Sequence, residues 1–215
     1  MTAAAHPGGS VFVIDDDPSV RRALERQLRT AGFRVECFES AQDYLDRGPP
    51  AATGCIVTDL RMPGPSGLDL QAALARTGRA LPMVFITGHG DIPTSVRAMK
   101  AGAVNFLAKP FTEDEILAAV AEALERGAEL ERVRRENAAL QARYVALSPR
   151  EREVLPLVAA GLLNKVIADR LGTAERTIKI HRSRVMAKMG AGSLADLVRM
   201  SERLAALARP GPSSG

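Results

Sequence analysis

The 215-residue sequence has few of the residues that form disulfides or bind zinc, with two cysteines and three histidines. It has no tryptophan, and its two cysteines, Cys37 and Cys55, each lie in an apolar segment with the character of a strand. That pattern is typical of buried, reduced thiols rather than of a disulfide framework. The three histidines lie far apart, with no cysteine at metal-ligand spacing, which argues against a zinc site.

Long apolar runs are also absent. Nowhere do about 18 apolar residues follow one another, as a membrane-spanning helix would require. The first residues lack the basic start and apolar stretch of a signal peptide. We therefore expect a cytoplasmic protein without a membrane span.

Charge is distributed unevenly along the chain. Residues 1–126 carry 13 Lys and Arg against 16 Asp and Glu, whereas residues 127–215 carry 16 against 9. An acidic front half and a basic back half indicate different partners. The back half is the candidate for binding nucleic acid, although a solvated basic surface remains the alternative.

Short apolar runs alternate with amphipathic stretches of helical period up to about Arg126. The runs are Val11–Ile14, Val35–Phe38, Cys55–Thr58, Met83–Thr87 and Val104–Ala108. This alternation predicts βαβ units and an α/β fold, with a parallel sheet covered by helices on both faces. In such sheets ligands bind at the carboxyl ends of the strands.

A helix that follows Thr112, its expected N-cap, is predicted to continue as a helical linker over residues 127–147. The linker carries a stripe at spacings of three and four, formed by Leu130, Val133, Asn137, Leu140, Tyr144 and Leu147. A polar residue in such a stripe can fix the register of a two-stranded coiled coil, in which Glu129 and Arg134 could pair between chains. Packing of the stripe on the protein's own domains is the alternative, and both remain open.

The pattern Ser148-Pro-Arg-Glu151 predicts a capped helix start and therefore a domain boundary. Helices are predicted at about Pro149–Ala160, Lys165–Leu171, Glu175–Met189 and Leu194–Ala208, with Ser193 capping the last. The predicted organisation is a disordered start (1–10), a first domain (11–126), the linker (127–147), an all-α domain (148–208) and a disordered tail (209–215).

Acidic residues follow the first and third apolar runs, and Lys109 follows the fifth. Asp15, Asp16 and Asp59 would meet at one edge of the sheet, where carboxylates repel one another unless a cation shares the site. Mg²⁺, which takes oxygen ligands at roughly 2.1 Å, is the natural partner. Thr87 and Lys109 could then bind a phosphoryl group. Taken alone, acidic residues at strand ends could equally be helix caps or solvated loop residues.

Four motifs make the interpretation specific. They are Val-Ile-Asp-Asp-Asp at 13–17, Asp-Leu-Arg-Met-Pro-Gly at 59–64, Thr-Gly-His-Gly-Asp at 87–91 and Phe-Leu-Ala-Lys-Pro-Phe at 106–111. In this order and spacing, residues 11–126 resemble the receiver domains of response regulators, and the motif at 87–91 together with the linker resembles the FixJ subgroup. The resemblance implies a flavodoxin-like, five-stranded sheet in the order 2-1-3-4-5. It also implies a cis peptide before Pro110.

The same resemblance assigns roles within the motifs. Asp59 would be the phosphoacceptor, Asp16 would bind Mg²⁺ directly, and Asp15 would bind it chiefly through water. Asp59 and the backbone carbonyl of Arg61 would complete the protein ligands, with Asp17 as a supporting acid.

The resemblance also implies a conformational switch. Thr87 and Lys109 would contact the phosphoryl group, and Phe106 would fill the space that Thr87 vacates. The movement would reshape the face formed by the fourth helix (about Ile92–Ala101), the fifth strand and the fifth helix. His89 is interpreted as a loop residue rather than a catalytic one.

The segment Arg176–Lys188 is basic along its whole length, with five Lys and Arg and no acid. As a helix it would turn Ile178, Val185 and Met189 inward and leave Arg176, Lys179, Ile180 and Ser183 on the outer side. Together with the preceding helix and the Gly172 turn, it predicts a helix-turn-helix whose second helix enters the major groove of DNA.

Residues 147–205 resemble LuxR-type helix-turn-helix domains in three motifs. These are Leu-Ser-Pro-Arg-Glu-Arg-Glu-Val-Leu at 147–155, Gly-Leu-Leu-Asn-Lys-Val-Ile-Ala at 161–168 and Glu-Arg-Thr-Ile-Lys-Ile-His-Arg-Ser-Arg-Val at 175–185. The resemblance implies that Lys179, Ile180 and Ser183 face base edges. It implies phosphate contacts for Lys165, Thr177, Arg182, Arg184 and Lys188.

These resemblances predict a two-component response regulator rather than an enzyme, with slow self-dephosphorylation as its only turnover. Its expected partners are a sensor histidine kinase, double-stranded DNA, RNA polymerase and, after phosphorylation, a second copy of the chain. Alternatives are a DNA-binding regulator independent of phosphorylation, a Mg²⁺-dependent phosphotransfer or phosphatase module without a DNA target, and an interaction module. Multiple turnover of phosphate esters would favour the second, and weak salt dependence of binding would favour the third.

Overall fold

The computed structural model of the chain describes residues 9–48, 54–77, 80–88 and 92–208, excluding the side chains of Ile92 and Thr94. The chain forms two compact units, Met1–Arg132 and Val133–Gly215. The sequence predictions for residues 1–8, His89 and residues 209–215 lie outside the described residues. Among the described helices, none combines the length and apolar character needed to cross a membrane.

Strands and helices alternate along the first unit. The elements are β1 (Ser10–Ile14), α1 (Pro18–Thr30), β2 (Arg34–Phe38), α2 (Ala41–Arg47), β3 (Gly54–Asp59), α3 (Gly67–Arg76), β4 (Met83–Thr87), α4 (Ile92–Lys100), β5 (Asn105–Ala108) and α5 (Glu113–Val145), which continues into the second unit. The strands form a parallel sheet in the order β2-β1-β3-β4-β5, which confirms the predicted fold class. The peptide bond between Lys109 and Pro110 is cis, as predicted.

Apolar side chains leave each central strand alternately on opposite faces of the sheet. Val11 and Val13 of β1 pack with α1 and the start of α5, whereas Phe12 and Ile14 pack with α2, α3 and α4. Both faces are therefore buried, which is why the strands have nearly continuous apolar sequences. The polar residues Asp59 and Thr87 end β3 and β4 at the carboxyl edge of the sheet, where the apolar packing on its two faces stops.

Two predictions for the first unit are wrong in detail. Ser10 is not part of a disordered start, because it opens β1 and pairs in register with Arg34 and Gly54. The prediction of a buried thiol is wrong for Cys37, which is only half-buried because β2 forms an edge of the sheet, although burial raises the pKa of its thiol. The prediction is confirmed for Cys55, which is fully buried, and burial raises the pKa of its thiol to about 12.

Helix α5 runs unbroken through Gly127, as predicted for a helical linker. Thr112 and Glu115 cap its start by reciprocal hydrogen bonds. Gly127 is tolerated within this helix because the chain passes close to β3 there. A Cβ on Gly127 would lie 3.0 Å from the carbonyl oxygen of Gly54.

The second unit consists of the distal part of α5 and α6 (Pro149–Ala159), α7 (Asn164–Leu171), α8 (Glu175–Met189) and α9 (Leu194–Ala208). Ser148 and Glu151 form the predicted capping box at the start of α6. Gly172, in the left-handed region at φ 59°, ends α7 and allows the turn into α8. The buried core is formed by Leu140, Leu147, Val154, Leu155, Val158, Ile167, Ala168, Ile178, Val185, Met189 and Leu197.

The linker stripe divides into a buried part and an exposed part. Leu140 and Leu147 are 6% and 3% exposed in the core of the second unit, and Asn137 accepts a hydrogen bond from Arg203 Nε at 2.5 Å. Leu130, in contrast, is 41% exposed. From Asn137 onward the stripe therefore packs on the protein's own domain, which favours that alternative over a coiled coil.

Candidate functional site

The strand order brings the predicted acidic residues together at the carboxyl edge of the sheet. Asp15 directly follows β1, and Asp59 is the last residue of the neighbouring strand β3. Thr87 ends β4, and Lys109 directly follows β5. The side chains line a cleft of about 260 Å³, whose walls are Asp15, Asp16, Asp17, Asp59, Arg61, Thr87, Gly88 and Lys109.

Lys109 bridges the two buried carboxylates of the cleft. Its Nζ lies 2.7 Å from Oδ2 of Asp59 and 3.0 Å from Oδ2 of Asp15. Burial raises the pKa of Asp15, and the hydrogen bond from Lys109 only partly opposes this effect. Burial would lower the pKa of Lys109, but its hydrogen bonds to Asp59 and Asp15 outweigh burial and raise it. Lys109 is therefore held as a cation beside both acids.

The backbone holds the other carboxylate oxygens. Oδ1 of Asp59 accepts a hydrogen bond from the amide of Arg61 at 2.9 Å, and Oδ1 of Asp15 accepts one from the amide of Asp17 at 2.9 Å. Both carboxylates are thus fixed in orientation. Arg61, whose backbone carbonyl is a predicted metal ligand, lines the cleft beside Asp59. Asp16 also lines the cleft and is exposed.

Asp17 has a structural role that differs from the expected supporting acid. Its Oδ1 accepts a hydrogen bond from the amide of Ser19 at 2.7 Å and so caps α1. That backbone hydrogen bond lowers the pKa of Asp17. The residue lines the cleft, but its carboxylate is directed to the helix start because the unpaired amides there need an acceptor.

The residues of the expected switch occupy the neighbouring strands. Thr87 is 1% exposed, and its carbonyl oxygen accepts a hydrogen bond from the amide of Lys109 at 2.7 Å. Phe106 is half-buried, with its ring centroid 6.5 Å from that of Phe85. The hydroxyl of Thr87 and the ring of Phe106 therefore belong to adjacent strands, as a coupled movement would require.

Sequence reasoning missed Arg21, which lies in the first turn of α1. Its Nη1 donates to the carbonyl oxygen of Asp15 at 2.7 Å. A signal was present in the sequence, since Arg21, Leu24 and Leu28 are spaced three and four apart and form one face of the helix. A charged residue on an otherwise apolar face indicates a buried partner.

The second unit presents the predicted helix-turn-helix in α7 and α8. Ile178, Val185 and Met189 are completely buried, as predicted. The expected outer side is also confirmed, with exposed side chains at Arg176, Lys179, Ile180 and Ser183. Lys165 and Arg184 are exposed, and Thr177 is half-buried. The recognition helix therefore offers a basic surface that includes one exposed apolar side chain.

Two of the expected phosphate contacts already bind within the unit. Nη1 of Arg182 lies 3.4 Å from Oδ1 of Asn164. Nζ of Lys188 lies 2.7 Å from Oε2 of Glu151. The contact of Arg182 is long and therefore weak. The ion pair gives Lys188 a structural role within the second unit.

Both units are similar to domains of known protein families. The family model of the response regulator receiver domain matches residues 11–121, and that of bacterial regulatory proteins of the luxR family matches residues 145–201. Nodulation protein W of Bradyrhizobium diazoefficiens is 53% identical over 90% of this chain and 86% of its own length. The transcriptional regulatory protein FixJ of Azorhizobium caulinodans is 47% identical over 89% and 90%. The solved structure of the response regulator StyR is 48% identical, with a TM-score of 0.80 over 91% of this chain and 98% of that chain.

Proposed function

Since the chain belongs to the FixJ-like response regulators, in which a receiver domain is joined to a LuxR-type DNA-binding domain, we propose that Asp59 accepts the phosphoryl group. The observation that carries the proposal is the position of Lys109 Nζ between Asp59 and Asp15. After phosphorylation, the ammonium of Lys109 can exchange its hydrogen bonds to the carboxylates for hydrogen bonds to the phosphoryl oxygens. The site thereby places a nucleophilic oxygen of Asp59 beside a cation that neutralises the added charge.

The reaction transfers phosphate from a phosphohistidine of a sensor kinase. One oxygen of the Asp59 carboxylate forms the new P–O bond, the P–N bond to the imidazole breaks, and the imidazole leaves with its electron pair and takes up a proton. Lys109 and the hydroxyl of Thr87 then bind the phosphoryl oxygens. Hydrolysis of the acyl phosphate by water later regenerates the Asp59 carboxylate. This slow turnover restores the unphosphorylated state of the regulator and is not enzymatic catalysis.

The donor set of the cleft fits Mg²⁺. It consists of carboxylate oxygens and a backbone carbonyl, which are the hard ligands that this ion prefers. In the described part of the chain no three acidic, His or Cys side chains are gathered closely enough to hold an ion alone. Asp15, Asp16, Asp59 and the carbonyl of Arg61 would hold Mg²⁺, and when bound it would offset the charge on the transferred phosphoryl group.

Phosphorylation would be transmitted through Thr87 and Phe106. A phosphoryl group adds charge that favours inward movement of Thr87 and Lys109, and Phe106, on the strand next to Thr87, would move with it. This movement would reshape the surface formed by α4, β5 and α5, and two copies of the chain would then associate through that surface. Two recognition helices in one dimer can match two DNA half-sites, where the complex would act on RNA polymerase.

The exposed side of α8 supports the proposed DNA contacts. Lys179, Ile180 and Ser183 would read base edges in the major groove. Arg176, on the same exposed side, is a further proposed DNA contact. The proposed contacts to the phosphate backbone are Lys165, Thr177, Arg182, Arg184 and Lys188. Of these, Lys188 has the least support because its ammonium already pairs with Glu151.

Labelling with a small phosphodonor tests the proposal. The full-length chain is incubated with Mg²⁺ and labelled acetyl phosphate, and the hydroxylamine-labile label is mapped. We expect labelling of Asp59 that is lost in Asp59→Asn and retained in Asp114→Asn, an exposed acid of α5 that serves as the control. Labelling should also convert monomer to dimer in gel filtration and tighten binding to operator DNA.

Two results would contradict this function. Equal labelling of the Asp59→Asn variant would place the acceptor elsewhere. Equal DNA affinity of labelled and unlabelled protein would support a regulator that is independent of phosphorylation.

A further inference from the structure

The guanidinium of Arg21 turns back from α1 to the acidic loop. Its side chain is 13% exposed, and Nη1 donates to the carbonyl oxygen of Asp15 at 2.7 Å. Nη2 lies 3.2 Å from Oε1 of Glu39, which is 80% exposed. The contact with Glu39 is therefore weakened by solvent, and the hydrogen bond to Asp15 is the stronger of the two.

The oxygen that Arg21 holds belongs to the peptide unit between Asp15 and Asp16. Because a peptide unit is planar, fixing its oxygen also fixes the direction in which the next residue leaves the loop. The amide of Asp15 is held separately, by the carbonyl oxygen of Phe38 at 3.3 Å. The loop is thus held on both sides of Asp15.

Asp16 depends on this backbone support more than its neighbours do. The carboxylate of Asp15 accepts hydrogen bonds from the amide of Asp17 and from Lys109 Nζ. The carboxylate of Asp17 accepts one from the amide of Ser19. Asp16 is exposed, and no described residue forms a hydrogen bond or ion pair with its carboxylate. The direction of the Asp16 side chain is therefore set mainly by the backbone on which it stands.

We infer that Arg21 is a positioning residue for the metal site, and that its hydrogen bond to the Asp15 carbonyl aims Asp15 and Asp16 at one shared divalent ion. The inference rests on the metal site of the proposed function. Arg21 has only donors, so it does not bind the ion itself. Residues that orient metal ligands in this way typically change metal affinity by about 10-fold to 100-fold when they are replaced.

Charge and positioning predict opposite effects of removing Arg21. A cation near the cleft repels Mg²⁺, so loss of the charge alone would tighten metal binding. Loss of the hydrogen bond would release the peptide unit and weaken binding. The neighbouring Arg22 is exposed on α1 and offers a matched control, since replacing it removes the same charge without the hydrogen bond.

The experiment measures Mg²⁺ affinity of the full-length chain by isothermal titration calorimetry, without a phosphodonor. Arg21→Met retains an unbranched side chain and removes both the charge and the donors. We expect it to bind Mg²⁺ roughly 10-fold more weakly. Arg22→Met should bind as tightly as the original chain or slightly more tightly, and Arg21→Lys, which restores a donor, should lie between Arg21→Met and the original.

A kinetic measurement separates positioning from general damage to the fold. In acetyl phosphate labelling, Arg21→Met should need more Mg²⁺ for half-maximal rate but approach the original rate at saturating Mg²⁺. Circular dichroism checks that the variant is folded. If Arg21→Met does not fold, Arg21→Gln takes its place with the same expected weakening.

Equal or tighter Mg²⁺ binding by the folded Arg21 variants would overturn the inference. Asp16→Asn, measured alongside, distinguishes that failure from a failure of the proposed metal site. If Asp16→Asn loses Mg²⁺ binding while the Arg21 variants retain it, only the role of Arg21 is wrong. If Asp16→Asn binds like the original chain, the metal site itself is wrong.

Discussion

The ammonium of Lys188 lies 2.7 Å from Oε2 of Glu151, an acid whose side chain is only 3% exposed. The same oxygen accepts a hydrogen bond from the amide of Ser148 at 2.8 Å. Lys188 also lies 3.3 Å from the carbonyl oxygen of Ala146. The last turn of the recognition helix is thereby tied to the first turn of α6.

Replacement of Lys188 by methionine should destabilise the second unit. The carboxylate of Glu151 would remain buried without its cation, which should lower the unfolding free energy by about 1–2 kcal/mol. The effect is modest because the ammonium of Lys188 is partly exposed to solvent, which weakens the ion pair. Urea unfolding followed by circular dichroism measures the change. Arg184→Met, at an exposed position of α8, is the control and should leave the unfolding free energy nearly unchanged.

The same two variants test which residue contacts DNA phosphate. Each lost phosphate contact should reduce the slope of log affinity against log salt by about one unit. We expect that full reduction for Arg184→Met and a smaller one for Lys188→Met, because the ammonium of Lys188 must leave Glu151 before it can bind phosphate. An unchanged slope for Lys188→Met would show that the lysine stays with Glu151 when DNA binds and would remove it from the proposed contacts.

The ion pair also predicts a pH dependence of stability. The hydrogen bond from Lys188 lowers the pKa of Glu151 in the folded chain, whereas an unfolded glutamate has a pKa of about 4.3. Because the folded pKa is the lower one, this contribution to stability is fully present above the unfolded pKa and is lost as pH falls through the folded pKa. The difference in unfolding free energy between the original chain and Glu151→Gln should therefore be constant near neutrality and shrink below about pH 4. A difference that grows on acidification would contradict the assignment.

Leucine truncations test how the linker stripe packs. Leu140→Ala should destabilise the second unit by about 2–4 kcal/mol, because it leaves a cavity in a closed core. Leu130→Ala, at a 41% exposed position, should cost well under about 1 kcal/mol. Calorimetric unfolding of the full-length chain measures both. Equal destabilisation by both variants would instead support the coiled coil, in which both leucines would be buried.

Two glycines beside the acidic cleft should respond differently to alanine. A Cβ on Gly67 would lie 2.5 Å from the carbonyl oxygen of Asp59 and 2.9 Å from the ring of Phe85. Gly67→Ala should therefore displace the loop after β3, lower the unfolding free energy by about 1–3 kcal/mol and slow labelling of Asp59. At Gly88, no described residue other than its chain neighbours has an atom within 4 Å of such a Cβ, so Gly88→Ala should retain the original stability.

The sequence predicted the sheet well because each strand has its own local pattern. Val11–Ile14 and Met83–Thr87 are apolar runs bounded by polar residues, and their alternation with helical patterns leaves few topologies. The clustering of Asp15 with Asp59 followed from their positions at the carboxyl ends of predicted parallel strands. The order of the strands followed from the family resemblance. The strand ends were within one residue of the observed bounds.

The linker stripe shows a limit of pattern reasoning. A spacing of three and four from Asn137 to Leu147 is the same whether the stripe meets a second chain or another part of its own chain. Only the position of Arg203, 66 residues after Asn137, decides between the two. Similarly, the pairing of Lys188 with Glu151 depends on the approach of two helices that local sequence does not specify.

The two thiols provide a chemical reporter for one half of the molecule. Both cysteines precede Arg132, and Cys55 sits in a central strand with its thiol inaccessible. A thiol reagent can reach Cys55 only when the sheet opens, so its reaction rate reports the opening of that sheet. Cys37, on the edge strand, would react earlier and mark local fraying. Since the chain after Arg132 has no cysteine, such a reagent would separate the unfolding of the sheet from that of the helical domain without any engineered label.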